Sequence, residues 1–64
     1  MNGAMVQAVE VATKCKLPLP VIDNGRERVI VAARHVAKYG RVYITFEDDS
    51  DEIDVPLRCH FELR

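Results

Sequence analysis

The sequence predicts a small single-domain α+β fold of the order β-α-β-β, with a C-terminal antiparallel hairpin and one helix packed on one face of the sheet. Apolar residues recur at every second position on both sides of an acidic turn within residues 41–64, as in a half-buried sheet. The stretch 25–39 instead carries apolar residues at helical spacing. Residues 1–64 are expected to form one domain that buries only about 60% of its unfolded surface, so its core is thin.

The first strand is predicted over residues 9–17, where apolar and polar side chains alternate. Residues 1–7 show no clear period and are expected to be flexible. An N-terminal helix is the competing interpretation, and it would place four apolar side chains on one face: Met5, Ala8, Val9 and Ala12. The β-branched Val11 and Thr13 favour the strand. After it, Pro18 and Pro20 predict a stiff connector outside regular pairing.

The helix is predicted over residues 25–39. Asn24 followed by Glu27 resembles a capping box, and Gly40 supplies a left-handed stop. The same segment allows a different structure, because Asn24-Gly25 is a favoured two-residue hairpin turn and residues 29–31 form a β-branched run. In that alternative, residues 20–23 pair with 26–32 and one short helical turn follows, next to an N-terminal helix. Both structures remain open from the sequence.

The C-terminal hairpin is predicted to pair residues 41–47 with 52–64. Placing Phe46 opposite Ile53 aligns the apolar positions of the two strands on one face. On the other face this register puts Arg41 opposite Arg58 and Glu47 opposite Glu52, which are pairs of like charge.

The third predicted strand, residues 52–64, is longer than its hairpin partner, so residues 59–63 need another neighbour. The first strand is expected to pair with them, which gives the spatial order 1-3-2. Pro56 has no backbone donor and belongs on an edge strand or at a bulge. Because the predicted order makes the third strand central, a bulge would be needed at Pro56.

Charge is strongly segregated along the chain although the formal net charge is only −1. Residues 14–41 contain seven bases and two acids, a net charge of +5, whereas residues 42–57 contain six acids and no base. This asymmetry indicates association with a partner. Two cysteines and no evident leader indicate a cytoplasmic protein. No apolar run approaches the roughly 20 residues that a membrane-spanning helix needs, so no membrane association is expected.

Enzymatic and metal-binding functions are not expected. Cys15, Cys59, His35 and His60 lack the close spacing of structural zinc sites. Cys59 falls on an apolar strand face without a neighbouring base, so it is not expected to be a nucleophile. A core of this size leaves no room for a small-molecule pocket. We therefore predict no catalytic residue, no metal, no cofactor and no small-molecule substrate.

The acidic hairpin is the predicted binding element. We expect a non-enzymatic protein-interaction module that acts as inhibitor or adaptor by presenting carboxylates to the basic surface of a larger protein. Small charge-segregated proteins of phages and plasmids that block host systems handling nucleic acid offer an analogy. The candidate residues are Glu47, Asp48, Asp49, Asp51, Glu52 and Asp54.

Two other functions remain open. A nucleic-acid-binding module would use a basic helix to contact phosphates. Its candidate residues are Arg26, Arg28, Arg34, Lys38 and Arg41. A structural role is the other alternative, in which two copies form a homodimer or assembly edge to edge through the strand near Pro56.

Overall fold

The computed structural model describes residues 4–64, which form one six-stranded antiparallel sheet with a short α-helix. The elements in chain order are β1 (Met5–Gln7), α1 (Ala8–Thr13), β2 (Leu19–Asp23), β3 (Arg26–Val36), a 3-10 helix (Ala37–Tyr39), β4 (Arg41–Phe46), β5 (Ile53–Pro56) and β6 (His60–Leu63). Their spatial order is β1-β6-β2-β3-β4-β5. The fold is therefore mostly sheet, and α+β describes it only loosely.

The predicted helix over residues 25–39 is wrong, and a hairpin takes its place. Asn24 and Gly25 have φ of 52° and 78°, as a type I′ turn requires, and they connect β2 to β3. The β-branched run at residues 29–31 extends readily as a strand, whereas in a helix it would lose side-chain freedom. The 3-10 helix then ends at Gly40, whose φ is 62°. This is the hairpin and short helical turn of the alternative interpretation.

The predicted strand over residues 9–17 is also wrong, because α1 occupies Ala8–Thr13. Ala8 and Val11 lie one turn apart and are fully buried, so the helix has an apolar side that the sheet covers. The backbone N–H of Gln7 donates to Glu10 Oε1 at 3.0 Å and closes the first turn. Part of the segment expected to be flexible, Met5–Gln7, forms β1; residues 1–3 lie outside the described residues.

The predicted single strand over residues 52–64 is divided into β5 and β6. The Cys59 N–H donates to the Pro56 carbonyl at 3.1 Å and turns the chain between them. β5 is an edge strand that pairs with β4, whereas β6 lies between β1 and β2. The predicted order 1-3-2 is therefore wrong, and Pro56 lies on an edge, where its missing donor is tolerated.

The register between β4 and β5 differs by two residues from the prediction. Val42 lies opposite Val55 and Ile44 opposite Ile53. A shift of two keeps every side chain on its predicted face, because side chains alternate with period two. It changes the facing pairs, however: Arg41 lies opposite Pro56, not opposite Arg58.

The sheet must curl, because β5 and β6 are four positions apart in the sheet but adjacent in the chain. Four strand spacings in a flat sheet would separate them by about 19 Å. The turn closed between Pro56 and Cys59 cannot span that distance. The core fills the concave side and is covered by α1, which packs on β3 and β4. Its buried side chains are Val6, Ala8, Val11, Val21, Ile30, Val42, Ile44, Phe46 and Phe61.

Candidate functional site

Residues 47–52, which connect β4 to β5, form the acidic loop. Its backbone is held at three points. The Glu47 N–H donates to the Val29 carbonyl of β3 at 2.8 Å, and the Asp49 N–H donates to the Phe46 carbonyl at 3.2 Å. The Asp51 N–H donates to Asp49 Oδ1 at 2.9 Å. The acidic loop is therefore an ordered projection from the sheet.

Arg28 anchors the base of the acidic loop. It lies opposite Val21 on the core-facing side of the sheet, and its guanidinium carbon is 3.7 Å from the centroid of the Phe46 ring. Its Nε and Nη2 donate to Asp48 Oδ1 at 3.2 and 3.0 Å, and its Nη1 donates to Asp23 Oδ2 at 3.1 Å. The side chain is only 16% exposed. Arg28 thus ties the loop to the β2–β3 hairpin through a stacked, forked contact.

The ion pair with Arg28 shifts the titration of both partners. Hydrogen bonds from Arg28 hold the pKa of Asp48 below its ordinary value, because they favour the carboxylate. Asp48 in turn raises the pKa of Arg28. A second contact to Asp48 comes from Arg26, whose Nη2 lies 3.4 Å from Oδ2. Asp48 is therefore held as an anion by two arginines.

Two further arginines meet carboxylates on the outer, solvent-facing side of the sheet. Arg34 donates from Nε and Nη2 to the two oxygens of Glu52, each at 3.1 Å, and its guanidinium lies 4.6 Å from the centroid of the Tyr43 ring. This fork lowers the pKa of Glu52. Arg41 donates to Asp54 Oδ2 at 3.2 Å. Opposite charges thus face each other where the sequence predicted pairs of like charge.

The acidic and basic candidate sets are consequently partners of one another. Among residues 4–64, Asp48, Glu52 and Asp54 are engaged in ion pairs. Within that same range, three carboxylates of the predicted set make no ion pair, and all three are exposed: Glu47, Asp49 and Asp51. These three carry the outward charge of the loop.

The basic candidates do not form one surface. Four were predicted along a helix, but three of these lie on β3; Arg41 begins β4, at the start of the predicted hairpin strand. Arg28 shares a face with Val21, whereas Arg34 shares the other face with Tyr43. Lys38, in the 3-10 helix, is the one candidate base without an ion pair in the described part of the chain, and its ammonium lies 5.7 Å from the Tyr39 ring centroid. The bases therefore point to both sides of the sheet.

The sequence reasoning missed the part of Asp23 and Phe46 in this site. Asp23 belongs to the Arg28 contact because the Asn24-Gly25 turn folds β2 back along β3. Phe46 was recognised as an apolar strand residue, but its ring also receives the arginine. The alternation of residues 41–46 and the Asn-Gly pair were the available signals, and they identify these neighbours only if the hairpin is chosen over the helix.

Few features of residues 4–64 indicate a small-molecule, metal or catalytic site. This range contains no pocket and no group of three or more side chains able to hold a metal ion. Cys15 and Cys59 are free thiols, both half-buried against the core. Within residues 4–64, neither the six-residue α1 nor the 3-10 helix combines the length and the apolar composition of a membrane-spanning helix. Comparison of the chain with protein-family models, with curated proteins and with solved structures finds no match.

Proposed function

We propose that this chain is a small non-enzymatic protein-interaction module that binds the basic surface of a larger protein through its acidic loop, as an inhibitor or an adaptor. The observation that supports this most is the split among the loop carboxylates. Asp48 and Glu52 bind arginines of the same chain, while Glu47, Asp49 and Asp51 project without an ion pair among residues 4–64.

The internal ion pairs favour binding because they fix the acidic loop before a partner arrives. A loop that is already ordered loses less conformational entropy on association than a mobile one. Arg28 fixes one side of the loop through Asp48, and Arg34 fixes the other through Glu52. Three carboxylates on a fixed loop then give a partner a defined pattern of charge.

A role in nucleic-acid binding has less support. Phosphate contacts need bases that are free to release counterions from the nucleic acid. Four of the five candidate bases already contact carboxylates, and Arg28 is largely buried. The acidic loop lies beside them and would repel a polyanion.

Neutralising the three outward carboxylates tests the proposal. The variant carries Glu47→Gln, Asp49→Asn and Asp51→Asn; asparagine at position 49 keeps an oxygen to accept the Asp51 N–H. Glu62→Gln, which removes one exposed carboxylate on β6 that has no ion pair in residues 4–64, is the control for the loss of a carboxylate outside the loop. Partners captured from extracts of the cells that naturally make the chain are compared quantitatively for the three proteins.

We expect the triple variant to bind the captured partner on the order of tenfold more weakly at low ionic strength, since steering between opposite charges is lost. The difference should narrow as salt is added. The Glu62→Gln protein should bind like the wild type. Equal capture by the triple variant and the control would contradict the proposal.

A further inference from the structure

The free edge of β5 is a second binding feature, next to the acidic loop. β5 pairs with β4 on one side, and no strand among residues 4–64 pairs with its other side. An edge strand presents unpaired backbone donors and acceptors, which form a template for an added strand. The opposite edge of the sheet, β1, has only three residues, and no acidic loop adjoins it in the chain.

The two faces of β5 differ in chemistry. Ile53 lies opposite the buried Ile44 on the core-facing side, yet 38% of it is exposed. Asp54 lies opposite Tyr43 on the outer side and is exposed. The acidic loop directly precedes the strand. An added strand would therefore meet apolar surface on one face, the Asp54–Arg41 ion pair on the other, and the acidic loop beside it.

A second copy of the chain fits this edge poorly. In the antiparallel register centred on Asp54, pairing of two β5 strands would place the two Asp54 side chains opposite each other, where like charges oppose pairing. It would also place a Pro56 in each strand, so the ladder would lack a donor on both sides. A strand from a different, basic protein brings neither defect.

We propose that the free edge of β5 accepts an extended segment of a partner protein as an additional strand, and that this segment alternates lysine or arginine with apolar residues. This inference rests on the proposed function and deepens it by naming the kind of segment that is bound. Backbone hydrogen bonds along residues 52–55 supply the pairing, and Pro56 ends it. Cationic side chains of the segment lie beside the acidic loop, whose Glu47, Asp49 and Asp51 make no ion pair among residues 4–64, while the apolar ones cover Ile53.

Three seven-residue peptides test this on the intact chain. One alternates lysine and valine, one alternates glutamate and valine, and one alternates lysine and glycine. The second keeps the strand propensity of the first but reverses its charge, whereas the third keeps the charge and removes the strand propensity. Affinity is measured by titration, and amide hydrogen exchange is followed at residues 52–55.

We expect the lysine–valine peptide to slow amide exchange in residues 52–55. The lysine–glycine peptide should bind at least about tenfold more weakly, because glycine disfavours the extended chain. The glutamate–valine peptide should not protect these amides. Ile53→Lys should abolish the protection, since a lysine on an edge strand discourages pairing. Met5→Lys, at an exposed position on β1, is the matched control and should preserve the protection.

The proposal is overturned if the lysine–valine peptide leaves exchange at residues 52–55 unchanged, if the glutamate–valine peptide protects them equally, or if the chain pairs with itself at this edge and doubles its mass without peptide. Failure of the proposed function would look different. In that case the natural partner would bind equally to the triple loop variant. If only strand addition fails, that variant still loses the partner while Ile53→Lys retains it.

Discussion

Replacing Gly25 with alanine separates the observed hairpin from the helix that the same residues can be expected to form. Gly25 has φ of +78°, and an ideal Cβ built on it would meet no atom within 4 Å. The cost of the methyl group therefore comes from the backbone alone. Holding a non-glycine residue in the left-handed region costs about 1 kcal/mol. For a domain of this size, that lowers the melting temperature by about 4–8 °C.

The helical alternative predicts the opposite sign. In a helix over residues 25–39, alanine at position 25 would be preferred over glycine by up to about 1 kcal/mol. Thermal unfolding followed by circular dichroism, together with urea unfolding, measures the difference directly. The sign of the change decides between the two structures without any reliance on its size.

Gly40→Ala calibrates the measurement. Gly40 has φ of +62° and open space around its Cβ position, so alanine is unfavourable there as well. A predicted helix ending at Gly40 requires the same left-handed conformation, and both structures therefore expect a loss of stability. If Gly25→Ala raises the melting temperature, or leaves it unchanged while Gly40→Ala lowers it, the hairpin at Asn24-Gly25 is refuted.

Three further perturbations follow from the core and the arginine contacts. Phe46→Ala should lower the free energy of unfolding by about 3–5 kcal/mol in urea titrations, because the ring is 2% exposed and packs edge-on against a second aromatic ring at 6.3 Å; a loss below 1 kcal/mol would contradict its place in the core. The folded-state pKa values of Asp48 and Glu52 are lowered, so the stability from their ion pairs is present above pH 4 to 5 and is lost as the pH falls through the lowered values. Between pH 7 and pH 2, the melting temperature of Asp48→Asn should therefore fall less steeply than that of the wild type. An equal fall in the two proteins would be inconsistent with this linkage. Arg28→Lys keeps the positive charge but cannot contact Asp48 and Asp23 at once as the guanidinium does, so amide exchange in residues 48–51 should accelerate. Arg34→Lys should leave Asp48 anchored, and equal exchange rates in the two variants would show that Arg28 does not hold the loop.

The alternation of residues 41–46 was sufficient to predict β4 and its buried face, because strict alternation of apolar and polar residues is typical of a half-buried strand and does not fit a helix. Val42, Ile44 and Phe46 are buried as expected. The register to the next strand could not be read in the same way. Any shift of two residues satisfies the apolar pattern equally, so the choice depends on the backbone contacts of the acidic loop and on the turn that follows Pro56.

Periodicity could not decide in favour of the N-terminal helix, which the sequence offered only as the competing interpretation, because this helix has only six residues. Over so short a segment, Val9 and Val11 fit a strand as well as a helix. Long-range contacts decide the outcome: the Ala8 N–H donates to the Cys59 carbonyl at 2.7 Å, and the Val9 N–H donates to the Leu57 carbonyl at 3.1 Å. These bonds satisfy the first helical donors with the turn between β5 and β6, which no local pattern reveals.

Many charged residues of the basic and acidic blocks form ion pairs with each other within the folded chain, so only some of them are available to bind a partner. β3 carries much of the basic block, the carboxylates of the acidic block lie in the loop and on β5, and the Glu47 N–H, which donates to the Val29 carbonyl, holds the loop beside β3. Contacts such as Arg28 with Asp48 and Arg34 with Glu52 therefore join residues that are 20 and 18 positions apart. The net charge counted along the sequence therefore overestimates the number of charged side chains that either block leaves free for a partner.

It also follows that the two candidate functions are physically linked. Removing the charge of Asp48 would release Arg26 and leave Arg28 paired with Asp23 alone, and removing that of Glu52 would release Arg34; either change exposes basic charge that the wild type neutralises. Such a variant would bind polyanions at low salt for a reason unrelated to the native chain. Only changes at Glu47, Asp49 and Asp51 leave these ion pairs intact. They can therefore distinguish protein binding by the acidic loop from nucleic-acid binding by the arginines that the carboxylates neutralise.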